Sequence, residues 1–300
     1  MDLRNLITVK TILEMGTFQN AAKRLNYTQS TVTFQVQQLE QELSIKLFEK
    51  IGRKMILTQA GKDILPYIDT IIQSTEQISN YGKGTLDLTG SLRIALPETL
   101  LVYKMQPVLK AFRKQAPNVR IHLQTLNCYT IRDKIMNNGA DIGIHYDVGG
   151  YTPAIRTEFL ANFSLSLIAS PAIAADQTDF LTENQRKTTV LISNDSNSIF
   201  QKLFDHYLEE KNISIEQPIE LWSIEAIKKC VISDMGIAFL PTFTVENELN
   251  KRALQALATD LNDQRITAVC AYHKNKWLSP AMELFICLLK KYLLLKEPSV

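Results

Sequence analysis

Residues 16–57, GTFQNAAKRLNYTQSTVTFQVQQLEQELSIKLFEKIGRKMIL, restrict what this chain can fold into more than any other stretch. Thr17 is placed to cap a short helix through Ala21, Ala22 and Leu25; Asn26 and Tyr27 break it, and Thr28 caps the next. In that second helix, Val32, Val36 and Leu39 share one narrow arc at the helical period, while Gln29, Ser30, Thr33 and Gln37 gather on another. One face packs, and the other offers amides and hydroxyls. A solvated face more usually carries Lys and Glu, whereas uncharged groups that donate and accept suit base edges in a major groove. A generic helical hairpin with a polar outside is the competing reading.

Residues 43–57 favour the first reading. Leu43 to Lys50 end the helix and start a strand, Gly52, Arg53 and Lys54 make a cationic turn, and Met55, Ile56 and Leu57 return, as in a β-hairpin wing. Lys46, Lys50, Arg53 and Lys54 cluster there and suit phosphates. Residues 1–61 hold eight Lys/Arg against five Asp/Glu, a net +3 that permits nucleic-acid binding without demanding it.

The run GTFxxAAxxLxxTQSxVTxQVxxLExELxxxLFEKxGRxxxLTxAG, from Gly16 to Gly61, resembles the N-terminal winged helix-turn-helix of the LysR-type transcriptional regulators. The likeness extends in length and layout over the whole chain, more weakly after residue 90. Ser30 stands where that family usually has Pro, Phe34 where it often has Arg, and Ser44 where it usually has Gly. Phe34 is therefore expected either to meet a thymine methyl or to pack. Base readout is assigned to Gln29, Ser30, Thr33, Phe34 and Gln37, and phosphate contact to Lys50, Arg53 and Lys54.

At 300 residues, 45 % hydrophobic and net charge +2, the chain can bury a sizeable core in more than one domain. Neither a signal peptide nor a run of about 18 apolar residues is present, so a cytoplasmic protein with no membrane association is expected. Cys128, Cys230, Cys270 and Cys287 lack metal-ligand spacing and read as reduced core thiols.

Residues 59–81 form a long helix in which Ile64, Ile68, Ile71, Thr75 and Ile78 advance by four, three, four and three, with Ile72 and Leu65 widening the seam. The simplest cover for it is the same helix of a second subunit, and the resemblance implies this too; packing against its own body is the alternative. Pro66 should bend the helix. Residues 81–85 contain GKGT but lack the earlier Gly and preceding strand of a phosphate-binding loop, and read as a hinge.

From Gly90 the texture alternates strands and helices. Strands are expected at 92–96, 119–125, 141–146, 163–170, 189–193, 219–222, 236–241 and 267–273. One helix is expected after Thr99 through Phe112, another over 130–138 ending at Gly139, then helices near 198–211, 224–233 and 280–295. The order βαβαβ implies parallel strands covered by helices. The fold expected is α/β with an N-terminal winged helix-turn-helix and a two-lobed, periplasmic-binding-protein-like (type 2) effector domain. The boundaries are 1–58 for the DNA-binding domain, 59–83 for the dimerisation helix, 84–89 for the hinge and 90–300 for the effector domain. Within it lobe I is 90–163 plus 267–300, lobe II is 164–266, and by resemblance the chain crosses between them near 163 and 266.

A cleft is expected where strand ends meet helix starts. Glu98, Thr99, Leu100, Cys128, Tyr129, His145, Asn194, Ser196, Ser198 and Phe243 are its candidate residues. The hydroxyls and N–H groups there suit a carboxylate, yet Glu98 and Asp195 would repel a pure anion, so an amino-acid-like zwitterion fits the set better; ordinary N-caps are the plain alternative. No cofactor is expected beyond such a small-molecule effector.

His122, His145, His206 and His273 stand apart, with no HExxH or GxSxG, so nothing local suggests an enzyme. A small-molecule-binding protein outside transcription remains the alternative, but it has no use for residues 1–57. By resemblance, double-stranded DNA, homodimers or homotetramers, and RNA polymerase are the expected partners.

Overall fold

The computed structural model describes residues 1–51, 54–80, 85–195 and 197–293. The expectations for Arg53, Ser196, the side chain of Lys54 and the hinge at 81–84 lie outside the described residues. The chain divides into two compact units, 1–83 and 84–300.

The first unit is three helices, α1 (Leu3–Met15), α2 (Phe18–Leu25) and α3 (Gln29–Leu43), a hairpin of β1 (Phe48–Ile51) and β2 (Lys54–Leu57), and a long helix α4 (Gln59–Asn80). The caps explain the breaks. Thr17 accepts from Asn20 N–H and Thr28 from Thr31 N–H, while Asn26 and Ser44 end their helices in the left-handed region at φ 55°. Leu6, Val9, Ile12, Ala21, Ala22, Val32, Val36 and Leu39 close the core between the helices, with Leu47 and Phe48 from the hairpin. Ser44 holds the conformation that glycine adopts without strain. Ser44→Gly is therefore expected to raise the unfolding free energy of this unit by roughly 1 kcal/mol, measurable by urea denaturation.

Two inward amides position α3. Thr8 Oγ1 donates to Gln35 Oε1 at 2.6 Å, and Asn5 Nδ2 to Gln38 Oε1 at 3.3 Å, which satisfies buried polar groups of α1.

The seam expected on α4 is corrected. Ile68 is 3 % exposed and belongs to the core, and Ile64 and Ile72 pack against the same cluster. Asp69 beside it is buried and paired with Lys10 at 2.5 Å. The helix therefore leans one stripe on α1, and of the expected seam Ile71 and Ile78 stay outside, together with Tyr67. Spacing gave the stripe; whether it faced its own body was set by the apolar side of α1.

In the second unit the element order is β3 (Gly90–Leu96), α5 (Glu98–Tyr103), α6 (Gln106–Gln115), β4 (Val119–Thr125), α7 (Cys128–Met136), β5 (Ile142–Tyr146) and β6 (Ile155–Ala169). It continues with β7 (Arg186–Ser193), α8 (Ile199–Glu210), β8 (Ser214–Glu220), α9 (Ile224–Ile232), β9 (Ala238–Pro241), α10 (Glu246–Asn250), β10 (Gln255–Leu257), β11 (Arg265–His273) and α11 (Pro280–Leu293). β3 pairs in parallel with both β4 and β5, as the βαβαβ order requires. β5 then meets β11 antiparallel, and β11 meets β6 over residues 155–164. Beyond Ser164 the long strand β6 takes β9 and β10 as its partners instead. β7 and β8 form a separate parallel pair. The architecture is thus α/β with two groups of parallel strands, joined through the antiparallel β6 and β11.

Several elements differ from the sequence reading. The helix expected through Phe112 is two helices, because Pro107 sits in the first turn of α6 and cannot continue α5. The left-handed residue after α7 is Asn138, φ 54°, rather than Gly139. β6 begins eight residues earlier than expected, since its first half is half-exposed and lacks a continuous apolar run. Gly236 is needed for close approach: a Cβ there would lie 2.2 Å from the Val190 carbonyl oxygen. All four cysteines are free, but Cys287 is on the surface rather than in the core.

Candidate functional site

Two regions gather the residues expected to act. In the first unit they lie on α3. Gln29, Ser30, Phe34 and Gln37 are exposed and Thr33 is half-buried. Two hydroxyls are already engaged: Thr33 Oγ1 donates to the Gln29 carbonyl at 2.9 Å, and Ser30 Oγ lies 2.8 Å from Thr28 Oγ1 within the cap. Gln29 and Gln37 side chains carry no such bond among the described residues. Phe34 is 64 % exposed and outside the core cluster, so of the two expectations for it packing is overturned. Gln29 and Thr33 also border an open groove of about 690 Å³ with Thr17, Phe18, Met55 and Ile56 from α2's start and the hairpin.

The wing is held to this helix by Glu40. Its buried carboxylate accepts from Leu47 N–H at 2.8 Å, Phe48 N–H at 3.3 Å and Lys46 Nζ at 2.7 Å. Burial alone would raise its pKa, but Lys46 and the two N–H donors outweigh that and lower it. Lys46 is thereby committed, and Lys50 stands exposed on β1.

In the second unit, the carboxyl ends of five strands converge. β3 delivers Pro97, Glu98 and Thr99, β4 delivers Leu126, Asn127 and Cys128, and β5 ends at Tyr146. β7 delivers Asn194, Asp195 and Ser198, and β8 delivers Trp222 and Ile224. Together with Thr125, Ile199 and Phe200 they enclose a cavity of about 440 Å³. Parallel strands with covering helices leave a crevice at this end, so its position follows from topology.

Glu98, Thr99, Cys128, Asn194 and Ser198 line it as expected. Much of their polarity is used locally, in agreement with the capping alternative. Asn127 Oδ1 accepts from Thr130 N–H at 2.8 Å, Ser198 Oγ from Gln201 N–H at 3.2 Å, and Thr99 shares a 2.6 Å hydrogen bond with Tyr146 Oη. Burial pushes the Cys128 thiol up to about 12, so it stays protonated.

Four expected residues do not line the cavity. Leu100 is buried in the core, because α5 turns that face inward. Tyr129 lies with its ring under Lys202 Nζ, 4.3 Å from the centroid. His145 is fully buried with Nδ1 2.8 Å from the Tyr146 carbonyl, and desolvation lowers its pKa, so it is a neutral structural group. Phe243 packs on Phe163 at 4.7 Å and beneath Lys104 Nζ at 4.5 Å. Conversely, Tyr146, Phe200 and Trp222 line the cavity without having been expected there. Tyr146 and Trp222 end strands that the sequence marked, which was the available signal.

Beside the cavity a polar clasp joins α5 to α9. Glu98 accepts from Ser223 Oγ at 3.4 Å and Ile224 N–H at 3.3 Å. Tyr103 donates to Glu225, and Lys228 Nζ reaches Tyr103 Oη at 3.1 Å, Glu225 at 3.0 Å and Glu248 at 2.9 Å. Burial works against the Lys228 charge, but the two carboxylates outweigh it and raise its pKa. Burial, then Glu225, pushes Tyr103 up to about 12. Among the described residues, no helix is long and apolar enough to cross a membrane.

Comparison with known proteins fits both regions. The family described as bacterial regulatory helix-turn-helix protein, lysR family, matches residues 3–62, and the LysR substrate binding domain matches 87–294. An uncharacterized HTH-type transcriptional regulator of Escherichia coli, YfiE, is 46 % identical over 286 residues, covering 95 % of this chain and 97 % of its own. YwqM of Bacillus subtilis, similarly described, is 32 % identical over 97 % of this chain and 99 % of its own. A full-length OxyR variant of Pseudomonas aeruginosa shares the fold with TM-score 0.69 at 19 % identity, over 98 % of this chain and 95 % of its own. Full-length CbnR in complex with its target DNA does so with TM-score 0.59 at 20 % identity, over 97 % and 100 %. With its helix-turn-helix head and its substrate-binding domain, the chain belongs to the LysR family of DNA-binding transcriptional regulators.

Proposed function

We propose that this regulator binds an interrupted palindromic promoter site as a dimer or tetramer and responds to a small metabolite in the 440 Å³ cavity. The observation that carries the DNA reading is the uncharged, exposed face of α3 presented by Gln29, Phe34 and Gln37. Two such helices related by a two-fold axis would read half-sites about one helical turn, or a multiple, apart. Gln29 and Gln37 supply amides for base edges, and Phe34 meets a thymine methyl. Thr33, whose hydroxyl proton is donated to the Gln29 carbonyl, contributes an acceptor lone pair or its methyl, and Ser30 contributes its hydroxyl. Lys50, with Arg53 and Lys54, meets phosphate.

In this reading residues 1–58 read DNA, 59–83 dimerise, 84–89 form a hinge and 90–300 bind the effector. Ligand control requires unequal affinity for two arrangements of the strand groups around the cavity, which the clasp between α5 and α9 would distinguish. Cytoplasmic localisation and ligand-dependent contact with RNA polymerase complete the proposal on family grounds.

The test is selection of binding sites from a random duplex library, followed by titration of variants. Gln29→Ala and Phe34→Ala are each expected to weaken the selected site about tenfold while leaving non-specific binding unchanged. Lys50→Ala is expected to weaken all sequences alike and to reduce the salt slope by about one. Equal loss on selected and random DNA for the first two would remove them from base readout.

A further inference from the structure

We infer that the cavity takes a ligand bearing an ammonium group, held by Glu98 and Asp195 with its apolar part against Phe200 and Trp222; this rests on the cavity being the effector site. The lining contains two carboxylates and, among the described residues, no Lys, Arg or His.

Asp195 is the sharper of the two. It is 6 % exposed, its Oδ1 accepts from Asn197 N–H at 2.8 Å, and its Oδ2 accepts no hydrogen bond among the described residues. No cation among the described residues pairs with it. Asp195 lines the cavity, so a positive group entering there can meet that oxygen. Among the described residues Glu98 accepts only the long contacts from Ser223 and Ile224, so it too has capacity for a closer donor.

The helix starts around the cavity do not favour an anion instead. Thr130, Gln201 and Ile224 N–H groups are already met by Asn127, Ser198 and Glu98. Lys202, the cation near that side, sits over the Tyr129 ring outside the lining. Trp222, 75 % exposed, offers an aromatic face for the ligand's apolar part.

The test uses matched probes on the full chain: the twenty amino acids, the primary amines lacking their carboxylates, and the acids lacking their amines. Thermal shift finds binders and calorimetry ranks them. Probes that stabilise the protein are expected to carry the ammonium and to bind about tenfold or more tightly than the matched acid. Glu98→Gln and Asp195→Asn, each checked for a native circular dichroism spectrum, are each expected to lower that affinity by about tenfold.

An acid that binds as well as its matched amine overturns the assignment, as does an ammonium probe indifferent to both substitutions, or a panel in which no ammonium probe binds. If the tight binder is an acid and Trp222→Ala removes it, the charge assignment fails while the cavity stands as the effector site. A binder indifferent to Trp222→Ala, Glu98→Gln and Asp195→Asn removes the site as well.

Discussion

Asp141→Ala is expected to destabilise the 84–300 unit by about 3–5 kcal/mol, lowering its thermal midpoint by roughly 10 °C. Asp141 is buried between β3 and the loop after β11. It accepts from the Arg93 backbone N–H at 2.7 Å and from Arg93 Nη2 at 3.0 Å, and pairs with Lys276 Nζ at 2.7 Å. Alanine would remove the carboxylate that two largely buried cations, Arg93 and Lys276, both contact. That penalty is larger than the loss of hydrogen bonds between neutral groups.

The pH dependence has a definite sign. Burial would raise the Asp141 pKa, but Arg93 and Lys276 outweigh it and hold it below the usual carboxylate range. The group therefore stabilises the fold above its unfolded pKa of about 3.9, and that stabilisation is lost as pH falls through the lower folded value. Wild type and Asp141→Ala should differ most near neutrality and converge in acid. Urea unfolding at a series of pH values checks this; a gap independent of pH would show that lost packing, not charge, is responsible.

Ile68→Lys is expected to unfold the 1–83 unit, with a loss of about 4 kcal/mol or more. Ile68 is packed in the core beside Val9 and Ile12, where an ammonium would find no water. The change should abolish helical circular dichroism from this unit and all DNA binding, irrespective of assembly. Ile78→Lys, at a position 78 % exposed, should leave the unit folded. Combined with Ile71→Lys it is the appropriate probe of self-association, and sedimentation at low concentration is expected to show a shift to monomer. A folded head in Ile68→Lys would mean that α4 does not depend on this packing. An unchanged dimer in the double variant would move the interface off the outer stripe of α4.

The inner and outer stripes of α4 show how far the chain is legible from its sequence. The period of Ile64, Ile68, Ile71 and Ile78 identified a helix with an apolar side, because periodicity is a local property of backbone geometry. It did not say that Ile64, Ile68 and Ile72 face α1, since that depends on a helix some sixty residues away in the chain. Helix α3 was more legible. Thr28 as cap, Val32, Val36 and Leu39 as inner stripe and Gln29 and Gln37 outside all follow from position on one turn or the next. Which hydroxyls were free was not legible, since Thr33 turns its proton back to Gln29.

In the second unit, strand ends were legible and side-chain direction was not. Glu98, Asn194 and Ser198 entered the candidate set because they follow strands, and they do line the cavity. His145 and Leu100 entered for the same reason and point into the core instead, because successive residues near a strand end or helix start face opposite ways. The sequence by itself determined the head's helices, their caps, the alternation of strands and helices, and the family likeness, all of which rest on local spacing. Only the tertiary structure decided which half of each pattern is covered, that Glu98 and Asp195 share one cavity without a cation among its described lining, and that Phe34 stands uncovered, because each depends on elements brought together from distant parts of the chain.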